Sequence, residues 1–420
     1  MTELNWAGNV AFGAARVATP ATLAELRQLI TSADPGSLRP LGTRHSFSRI
    51  ADTTGTLVSS AGFADPAGVA IASDRASVSV PAGIRYGELA RALEARGLAL
   101  ANLASLPHIS VAGAIATGTH GSGVRNGSLA TAVRAIEFVD GTGEPVTLRR
   151  GDTDFAGAVV ALGALGFTTR LELDVEPSFE VAQTVYRGLP LAAVLDRFDE
   201  VAALGYSVSL FTTWTDPEVV DQLWLKRRGD RDAPAPESVL GALPSPVESH
   251  PIAGVDPVHC TPQLDAPGAW LDRLPHFKLE FTPSNGAELQ SEYLVPRDTA
   301  VEAIRAVRVL ADDIRPLLQV TEIREIAADE LWLSGAFGTD AVGIHFTWLP
   351  EQDAVDALLP RLEERLLPLG ARPHWGKRFH ADAEALVPLY PRLDDFRALA
   401  RRHDPRGVFV NDFLRAKLAL

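Results

Sequence analysis

Cysteine is nearly absent from this 420-residue sequence, because Cys260 is the only one. A single cysteine excludes an intrachain disulfide framework and any metal site built from several thiolates. The ten histidines show no HExxH or similar ligand spacing, so we predict no bound metal. His108 and His120 could be ligands in principle, but structural histidines are more common than metal ligands in such a sequence context.

Basic residues are also scarce: 39 Lys and Arg stand against 53 Asp and Glu, which gives a formal charge of −14 at pH 7. Such a chain lacks the basic face that nucleic acids and anionic membranes require of a partner. No apolar run is long enough to cross a bilayer, and residues 1–20 have neither a basic start nor an apolar core. We therefore expect a cytoplasmic enzyme without nucleic-acid or membrane partners.

The length of the chain predicts two domains rather than one. Thr22 followed by Glu25 is typical of a capping box, which predicts a helix that ends near Ser32. Residues 140–143 (DGTG) separate two strand-like runs and therefore predict a hairpin. Helices and strands that alternate irregularly, with hairpins among them, predict α+β layers instead of a regular βαβ repeat.

Pro177 marks the first predicted domain boundary, so that residues 1–177 form one unit and residues 178–372 a second, substrate-covering unit. Residues 373–420 form a closing segment that ends in the turn 404–409 (DPRGVF). Within the second unit, residues 232–257 are rich in proline and are predicted to be irregular. The patterns there predict strands over 207–213, 279–282, 289–295, 318–323 and 342–348, and helices over 299–312 and 352–366.

One stretch, residues 102–123 (NLASLPHISVAGAIATGTHGSG), contains no charged residue and is dominated by small side chains. We call it the glycine-rich stretch. Small residues let a backbone approach a flat ligand closely and leave N–H groups free to donate to it. Pro107 and Ser110 predict a turn and an N-cap that open a short helix over residues 111–117. The alternative, a tightly packed Ala/Gly core segment, is equally compatible with the stretch alone.

A second loop, residues 41–46 (LGTRHS), follows a predicted strand over residues 38–41. Glycine and short polar residues in this position could turn successive N–H groups toward a pyrophosphate, while His45 points at the ligand. A surface turn with an incidental histidine is the alternative. Two such loops in one unit favour a dinucleotide, because it has phosphates at one end and a ring at the other.

Polar side chains share one face of two strands in the second unit. Residues two apart in a strand project to the same side, so Glu322 lies beside Arg324, and His345 lies beside Thr347. Gln290 has a similar position in its own strand. The intervening residues are apolar and face the other way. This face could bind a hydroxyl-rich substrate, although a solvent-exposed antiparallel sheet would show the same pattern.

These motifs resemble those of the alditol oxidases, which belong to the vanillyl-alcohol-oxidase class of flavoproteins. The resemblance runs nearly from end to end in long ungapped blocks. It is carried by residues 5–9 (NWAGN), 42–47 (GTRHSF), 104–113 (ASLPHISVAG), 116–121 (ATGTHG), 286–293 (GAELQSEY) and 372–377 (RPHWGK). It implies a two-domain, PCMH-type FAD-binding fold in which residues 1–177 and 373–420 form the FAD domain. An α/β cap domain, residues 178–372, would cover the flavin ring.

The resemblance also implies that FAD is attached covalently through His45. Arg44 departs from the family, which has small residues here, and it could pair with the pyrophosphate or point to solvent. If this position requires a positive φ, arginine is strained there. The remaining residues implied to bind the cofactor are Leu41, Gly42, Thr43, Arg44, Ser46, Ser105, Ser110, Gly113, Ala114, Ala116, Thr117 and His120.

For the substrate, the resemblance implies binding by Ser105, Gln290, Glu322, Arg324, His345, Thr347 and Lys377. Lys377 and Arg324 are the cations that could stabilise a developing alkoxide while hydride leaves the carbon. Glu322 would bind the neighbouring hydroxyl and orient Arg324. The implied reaction is oxidation of the terminal hydroxyl of xylitol or sorbitol to an aldehyde, with O2 reduced to H2O2, by a monomeric enzyme.

Two other functions are compatible with the residues. A sugar-1,4-lactone oxidase or dehydrogenase of the same fold would use similar loops and a similar cap. A flavin-free carbohydrate-binding protein would keep the polar face of the cap and lack the chemistry. Assays with lactones distinguish the first of these from an alditol oxidase, and the colour of the purified protein distinguishes the second.

Overall fold

Three small sheets and the helices around them make up the first part of the chain. The computed structural model describes residues 3–281 and 288–420, so residues 286 and 287 of the GAELQSEY motif lie outside the described range. The elements of the first part are β1 (Arg16–Ala18), α1 (Leu23–Thr31), β2 (Leu38–Leu41), β3 (Thr56–Ser59), β4 (Ala70–Ile71), β5 (Ser77–Pro81), α2 (Tyr86–Glu94), β6 (Leu98–Ala99), α3 (Val111–Ala116), β7 (Val133–Asp140), β8 (Pro145–Arg149), α4 (Phe155–Val159), β9 (Gly166–Asp174) and β10 (Glu176–Pro177).

Local sequence signals account for these elements. Helix α1 begins after Thr22, whose hydroxyl accepts the N–H of Glu25 at 3.2 Å, while the Glu25 carboxylate accepts the N–H of Ala21. The N-cap at Thr22 is therefore confirmed, but the reciprocal half of the capping box is not, because Glu25 reaches the N–H of Ala21 and not that of Thr22. The hairpin is confirmed, because β7 pairs with β8 in antiparallel register. Strands β1, β3 and β2 form one parallel sheet, and β4, β5, β9, β7 and β8 form a second, each in that order. Strands β6 and β10 pair in antiparallel register as a third.

An eight-stranded sheet dominates the rest of the described chain. Its strands lie in the order β14, β11, β13, β12, β16, β17, β15, β18. The division into domains at residues 1–177, 178–372 and 373–420 stays a prediction. The elements of this part are β11 (Glu180–Pro190), α5 (Leu191–Asp196), α6 (Phe198–Ala202), β12 (Ser207–Thr212), β13 (Val219–Arg228), β14 (Gly268–Ala269), β15 (Leu289–Pro296), α7 (Ala300–Arg308), α8 (Ala311–Ile314), β16 (Leu318–Ile326), β17 (Ala341–Trp348), α9 (Gln352–Leu366), β18 (Arg372–Pro373), α10 (Ala383–Leu386), α11 (Leu393–His403) and α12 (Asp412–Leu418).

Both faces of the central strands of this sheet are buried. Helices α5, α6, α7 and α9 pack on one face, where Ile323, Ile344 and Phe346 join an apolar core. Glu322 and Arg324 lie on the opposite face and are nevertheless only 4% and 6% exposed. A solvent-exposed sheet is therefore wrong as an explanation of the polar pattern, and the buried polar side chains of this face must find partners within the protein.

The sequence prediction differs from the structure at several elements of this part. Strands β11 and β13 were not predicted, because nearly continuous burial removes the alternation that marks a half-exposed strand. The predicted strand over residues 279–282 is wrong for residues 279–281, which form a turn, and Thr282 lies outside the described residues. The predicted helix over 299–312 is split into α7 and α8 at Leu310.

The glycine-rich stretch and its flanking residues contact the large sheet directly. The N–H of Gly123 donates to the carbonyl of Glu325 in β16 at 2.8 Å. The hydroxyl of Tyr206 donates to the carbonyl of Ala101 at 2.5 Å, and the Asn126 amide reaches the Tyr206 carbonyl at 3.1 Å. These bonds fix the large sheet against the glycine-rich stretch and the residues that flank it.

Arg39 joins three distant segments of the chain. Its guanidinium is fully buried and donates to the carbonyls of Ile50, Leu162 and Phe409 at 2.7, 2.6 and 2.7 Å. Burial lowers the pKa of Arg39 to about 9. Phe409 belongs to the predicted closing turn, so this side chain holds the carboxyl-terminal segment against strand β2, which leads into the first loop.

Replacing Arg39 by Met is expected to lower the free energy of unfolding by about 3 kcal/mol, because buried carbonyls lose a charged donor. The measurement is the urea midpoint followed by tryptophan fluorescence. Arg197→Met is the matched control, since its side chain is 57% exposed and pairs with Glu200 at the surface. That control should change stability by less than about 0.5 kcal/mol. Equal midpoints for both variants would contradict the role given to Arg39.

Candidate active site

The first predicted loop leaves strand β2 at Leu41 and turns sharply against the glycine-rich stretch. A Cβ added to Gly42 would lie 2.5 Å from the hydroxyl of Ser110, so a side chain at this position would displace that hydroxyl. The hydroxyl of Thr43 accepts the N–H of Ser110 at 3.1 Å. The two loops that the sequence singled out are therefore in direct contact, at the amino end of helix α3.

Arg44 adopts a left-handed backbone conformation with φ of 67°. That region is unfavourable for a residue with a side chain by about 1 kcal/mol, so the strain expected from the sequence is present. The Arg44 side chain is 42% exposed, and its guanidinium pairs with the Glu3 carboxylate at 2.5 Å. Of the two alternatives for Arg44, the structure favours a surface position away from the loop interior.

His45 lies between Trp6 and the interior of the loop. Its ring stacks on Trp6 with a centroid distance of 5.4 Å, and its Nδ1 contacts the Thr43 hydroxyl at 3.1 Å. Nε2 is buried and has no hydrogen-bond partner among the described residues. Burial, together with repulsion from His108 and Arg85, lowers the pKa of His45 to about 4. The imidazole is therefore neutral at physiological pH and has one unused nitrogen.

All residues predicted to bind the cofactor line one cavity. Helix α3 is preceded by Ser110, as predicted, and its hydroxyl is buried without a hydrogen-bond partner in the described chain. The lining includes Leu41, Gly42, Thr43, Arg44, His45, Ser46, Ser105, Ser110, Gly113, Ala114, Ala116, Thr117 and His120. The buried atoms of Ser110 and His45 without partners, and the close backbone approach at Gly42, fit a flat phosphate-containing cofactor such as FAD.

The same cavity extends to the polar face of the large sheet. It is lined there by Ser105, Gln290, Glu322, Arg324, His345, Thr347 and Lys377, which are all of the residues predicted to bind the substrate. Strand register explains the grouping, because Glu322 lies directly opposite His345, and Gln290 lies opposite Thr347. Cofactor and substrate residues therefore share one continuous space.

Arg324 connects the sheet to the glycine-rich stretch. Its Nη1 donates to the hydroxyl of Ser105 at 3.1 Å, and its Nε lies 3.4 Å from Oε1 of Glu322. Although burial opposes ionisation of Glu322, Arg324 and His276 hold the pKa of this carboxyl well below its usual value. Burial, with Lys377 nearby, lowers the pKa of His345 to about 4. The site thus combines an ionised carboxylate with a neutral imidazole.

Glu292 is a buried carboxylate that the sequence interpretation missed. Its Oε2 accepts from Nζ of Lys377 at 2.5 Å, and its Oε1 lies 3.2 Å from Nε2 of His120. Burial raises the cost of its charge, but Lys377 and His120 hold its pKa well below the usual value. The signal was present in the sequence, because Glu292 is two residues from Gln290 and therefore shares its face of β15.

Lys377 reaches the cavity from the segment that follows β18. This segment is fastened on both sides, since Gly376 accepts the N–H of Phe47 at 2.7 Å, and the N–H of Arg378 donates to Gln290 at 2.8 Å. Burial, partly offset by Glu292, lowers the pKa of Lys377. The ammonium is therefore placed by contacts with both the first loop and strand β15.

His276 was also missed, and no sequence pattern marks it, because it lies in the irregular connection before β15. Its Nε2 lies 2.7 Å from Oε1 of Glu322.

His108 does not line the cavity, and its Nε2 contacts the carbonyl of Leu279 at 2.7 Å. Within residues 3–281 and 288–420, no group of three His, Cys, Asp or Glu side chains is arranged to hold a metal ion.

No helix in the described ranges is both long and apolar enough to cross a membrane.

Family models match both ends of the chain: an FAD binding domain matches residues 14–149, and D-arabinono-1,4-lactone oxidase matches residues 285–417. The second match covers strands β15, β16 and β17, which carry the polar face, and the segment that contains Lys377.

Full-length relatives are found among sugar and polyol oxidoreductases. An alditol oxidase of Streptomyces sp. is 50% identical over 411 residues, which cover 98% of this chain and 97% of the relative. An L-gulono-1,4-lactone dehydrogenase of Mycobacterium tuberculosis is 28% identical and covers 99% and 98% of the two chains. An L-gulonolactone oxidase of Bos taurus is 23% identical and covers 98% and 96%.

Among solved structures, a cholesterol oxidase of B. sterolicum superimposes with a TM-score of 0.76 at 15% identity and covers 98% of this chain and 96% of its own. That likeness concerns the fold alone. It agrees with the α+β layers described above and with the FAD-binding match in the first part. Given the identity to the Streptomyces relative over nearly the whole length, the chain belongs to the alditol oxidases, which are FAD-dependent enzymes of the vanillyl-alcohol-oxidase class with a PCMH-type fold.

Proposed function

We propose that this enzyme oxidises the terminal CH2OH of xylitol or sorbitol to an aldehyde and reduces O2 to H2O2. Two electrons and two protons leave the CH–OH unit and appear in hydrogen peroxide, so the reaction balances. The observation that carries the proposal is the polar face of β15, β16 and β17, which lies in one cavity with the two FAD-type loops. The 50% identity to an alditol oxidase supports it.

FAD would be held by the loop from Leu41 to Ser46 and by the residues around the amino end of helix α3. When bound there, it supplies the two-electron acceptor that takes hydride from the substrate carbon and delivers electrons to O2. We propose that it is linked covalently to His45. The neutral imidazole, its unpartnered Nε2 and its place in the cavity wall support that assignment.

The charged residues of the polar face would act on the reacting hydroxyl. Arg324 and Lys377 place two cations beside the cavity, where they would stabilise negative charge that develops on the substrate oxygen. Glu322, held ionised by Arg324 and His276, would accept a hydrogen bond from the neighbouring hydroxyl. Ser105 and Thr347 would bind further hydroxyls by donating and accepting at their own oxygens, as would His345 and Gln290.

The monomeric state implied by the resemblance remains a prediction. The cytoplasmic location expected from the sequence remains a prediction. A sugar-1,4-lactone oxidase or dehydrogenase is the second candidate, because the D-arabinono-1,4-lactone oxidase model matches residues 285–417. The two candidates differ in the substrate that each would oxidise at the same polar face.

A substrate screen in an oxygen electrode tests the proposed function. Glycerol, xylitol, sorbitol and mannitol are compared with L-gulono-1,4-lactone, each with O2 and then with a dye as the electron acceptor. We expect oxygen uptake with the longer polyols, one H2O2 formed per aldehyde, and little turnover of the lactone. Faster turnover of the lactone, or turnover with the dye alone, would favour the second candidate.

The covalent link is tested by His45→Ala. The wild-type protein should be yellow, and its colour should stay with the chain after acid precipitation, because a covalent bond survives unfolding. In the variant the flavin should appear in the supernatant. His108→Ala is the matched control, since His108 lies near the same loops but does not line the cavity. Flavin that remains bound to the His45→Ala chain would exclude His45 as the linkage residue.

The cations are tested by Lys377→Ala and Arg324→Ala. Each variant should lower kcat by about 100-fold or more while FAD content is unchanged, because an electrostatic contact to the developing charge is lost. Arg378→Ala is the control, since this neighbour of Lys377 pairs with Asp356 and does not line the cavity. Near-normal turnover in either cavity variant would remove that residue from the mechanism.

A further inference from the structure

His276 contacts two of the proposed substrate residues at once. Its backbone N–H donates to the carbonyl of Ser105 at 3.2 Å, and its side-chain Nε2 lies 2.7 Å from Oε1 of Glu322. Ser105 belongs to the glycine-rich stretch and Glu322 to strand β16, so His276 bridges the two parts of the protein at the cavity. The residue is only 4% exposed.

Lys226 holds the other side of the His276 ring. This lysine of strand β13 is 1% exposed, and its Nζ reaches the carbonyls of Leu274 and Pro275 at 2.5 and 3.1 Å. Its third contact, at 3.1 Å, is Nδ1 of His276. An ammonium group has three N–H donors and no acceptor. Three acceptors therefore match a protonated Lys226 without leaving a donor unused.

This contact decides where the proton of the imidazole lies. Because Nδ1 of His276 accepts from Lys226, the ring proton is on Nε2, which donates it to Glu322. Burial lowers the pKa of His276 to about 4, so the ring carries a single proton at neutral pH. Edge contacts with the rings of Phe211 and Trp224, at centroid distances of 5.6 and 5.2 Å, restrict rotation of the imidazole.

Arg324 contacts the same two residues as His276, namely Ser105 and Glu322. Its guanidinium donates to the Ser105 hydroxyl at 3.1 Å and lies 3.4 Å from Oε1 of Glu322. These are the two residues that His276 touches from the other side. His276, Ser105, Arg324 and Glu322 therefore form a closed set of contacts at one edge of the cavity. A shift of any one of them would change the distances between the others.

We propose that His276, oriented by Lys226, is a positioning residue that sets Glu322 and Ser105 for the substrate and thereby fixes Arg324 between them. The inference rests on the proposed function. His276 acts through its neighbours, and Lys226 acts through His276 from behind the cavity wall, which it does not line. The consequence is that the carboxylate of Glu322 accepts from a defined donor and stays ionised.

The test compares His276→Leu, His276→Gln and Lys226→Met by kcat and KM for xylitol as a function of pH. His276→Leu should lower kcat/KM by about 10- to 100-fold, the range expected when a charged group loses one hydrogen bond. His276→Gln keeps an N–H donor at similar reach and should recover most of that loss. Burial lowers the pKa of Lys226 to about 7, so the comparison includes measurements near pH 6, where the ammonium dominates.

The pH profile separates positioning from simple packing. Three titratable groups face the Glu322 carboxylate: Arg324 of the same strand, His345 of β17, and His276 of the irregular connection. Lys226 lies behind His276. Loss of the His276 donor removes one cause that lowers the pKa of Glu322, so that pKa should rise. Activity that needs the carboxylate is present above this pKa and is lost as pH falls through it. His276→Leu and Lys226→Met should therefore gain an acid limb that the wild type lacks in the same range.

Lys417→Met is the matched control for removal of a partly buried ammonium. Lys417 donates to the carbonyls of His380 and Ala381 at 2.8 and 2.6 Å and does not line the cavity. It should keep the wild-type profile. If the wild type oxidises xylitol but His276→Leu keeps its kcat/KM and profile, the positioning role is wrong. Equal losses in His276→Leu and His276→Gln would also overturn it, whereas an inactive wild type would overturn the proposed function itself.

Discussion

The site depends on the pairing of charges that the fold removes from water. An unpaired buried carboxylate costs several kcal/mol, and both Glu322 and Glu292 are almost fully buried. Glu322 meets Arg324 and His276, whereas Glu292 meets Lys377 and His120. Most of these partners come from separate segments of the chain. The requirement to satisfy two carboxylates therefore fixes the glycine-rich stretch, the irregular connection and the carboxyl-terminal segment around one sheet.

Small residues make this crowded arrangement possible. Gly343 lies opposite Arg324 in the register of β16 and β17, and a Cβ there would stand 3.0 Å from Oε1 of Glu292 and 3.4 Å from the His120 ring. A side chain at this point would push the histidine or the carboxylate out of place. Small residues also let the glycine-rich stretch approach the sheet from the other side, since the backbone of Gly123 lies within hydrogen-bond distance of β16.

Much of the site could be predicted from the sequence, because strand periodicity places Glu322 with Arg324 and His345 with Thr347. The same rule, extended by two residues from Gln290, would have found Glu292. Lys226 and His276 could not be found in this way. Strand β13 is buried on both faces at Lys226, which hides its alternation, and His276 lies in a connection without any period. Only tertiary packing brings these two side chains together behind Glu322.

The register of the sheet also orders the proposed chemistry along the cavity. Glu322, His345 and Glu292 lie in one row across three strands, and Thr347 with Gln290 lies in a second row. Two residues along a strand correspond to about 7 Å. Arg324 lies two residues beyond Glu322, on the side away from the second row, and Lys377 pairs with Glu292 of the first row. The reacting hydroxyl would therefore bind at this end of the cavity. Hydroxyls farther along the polyol would then meet the second row, whose neutral groups can bind but cannot compensate a developing charge. The length of the polyol and the reactivity of its terminal hydroxyl would thus depend on different residues of the same face.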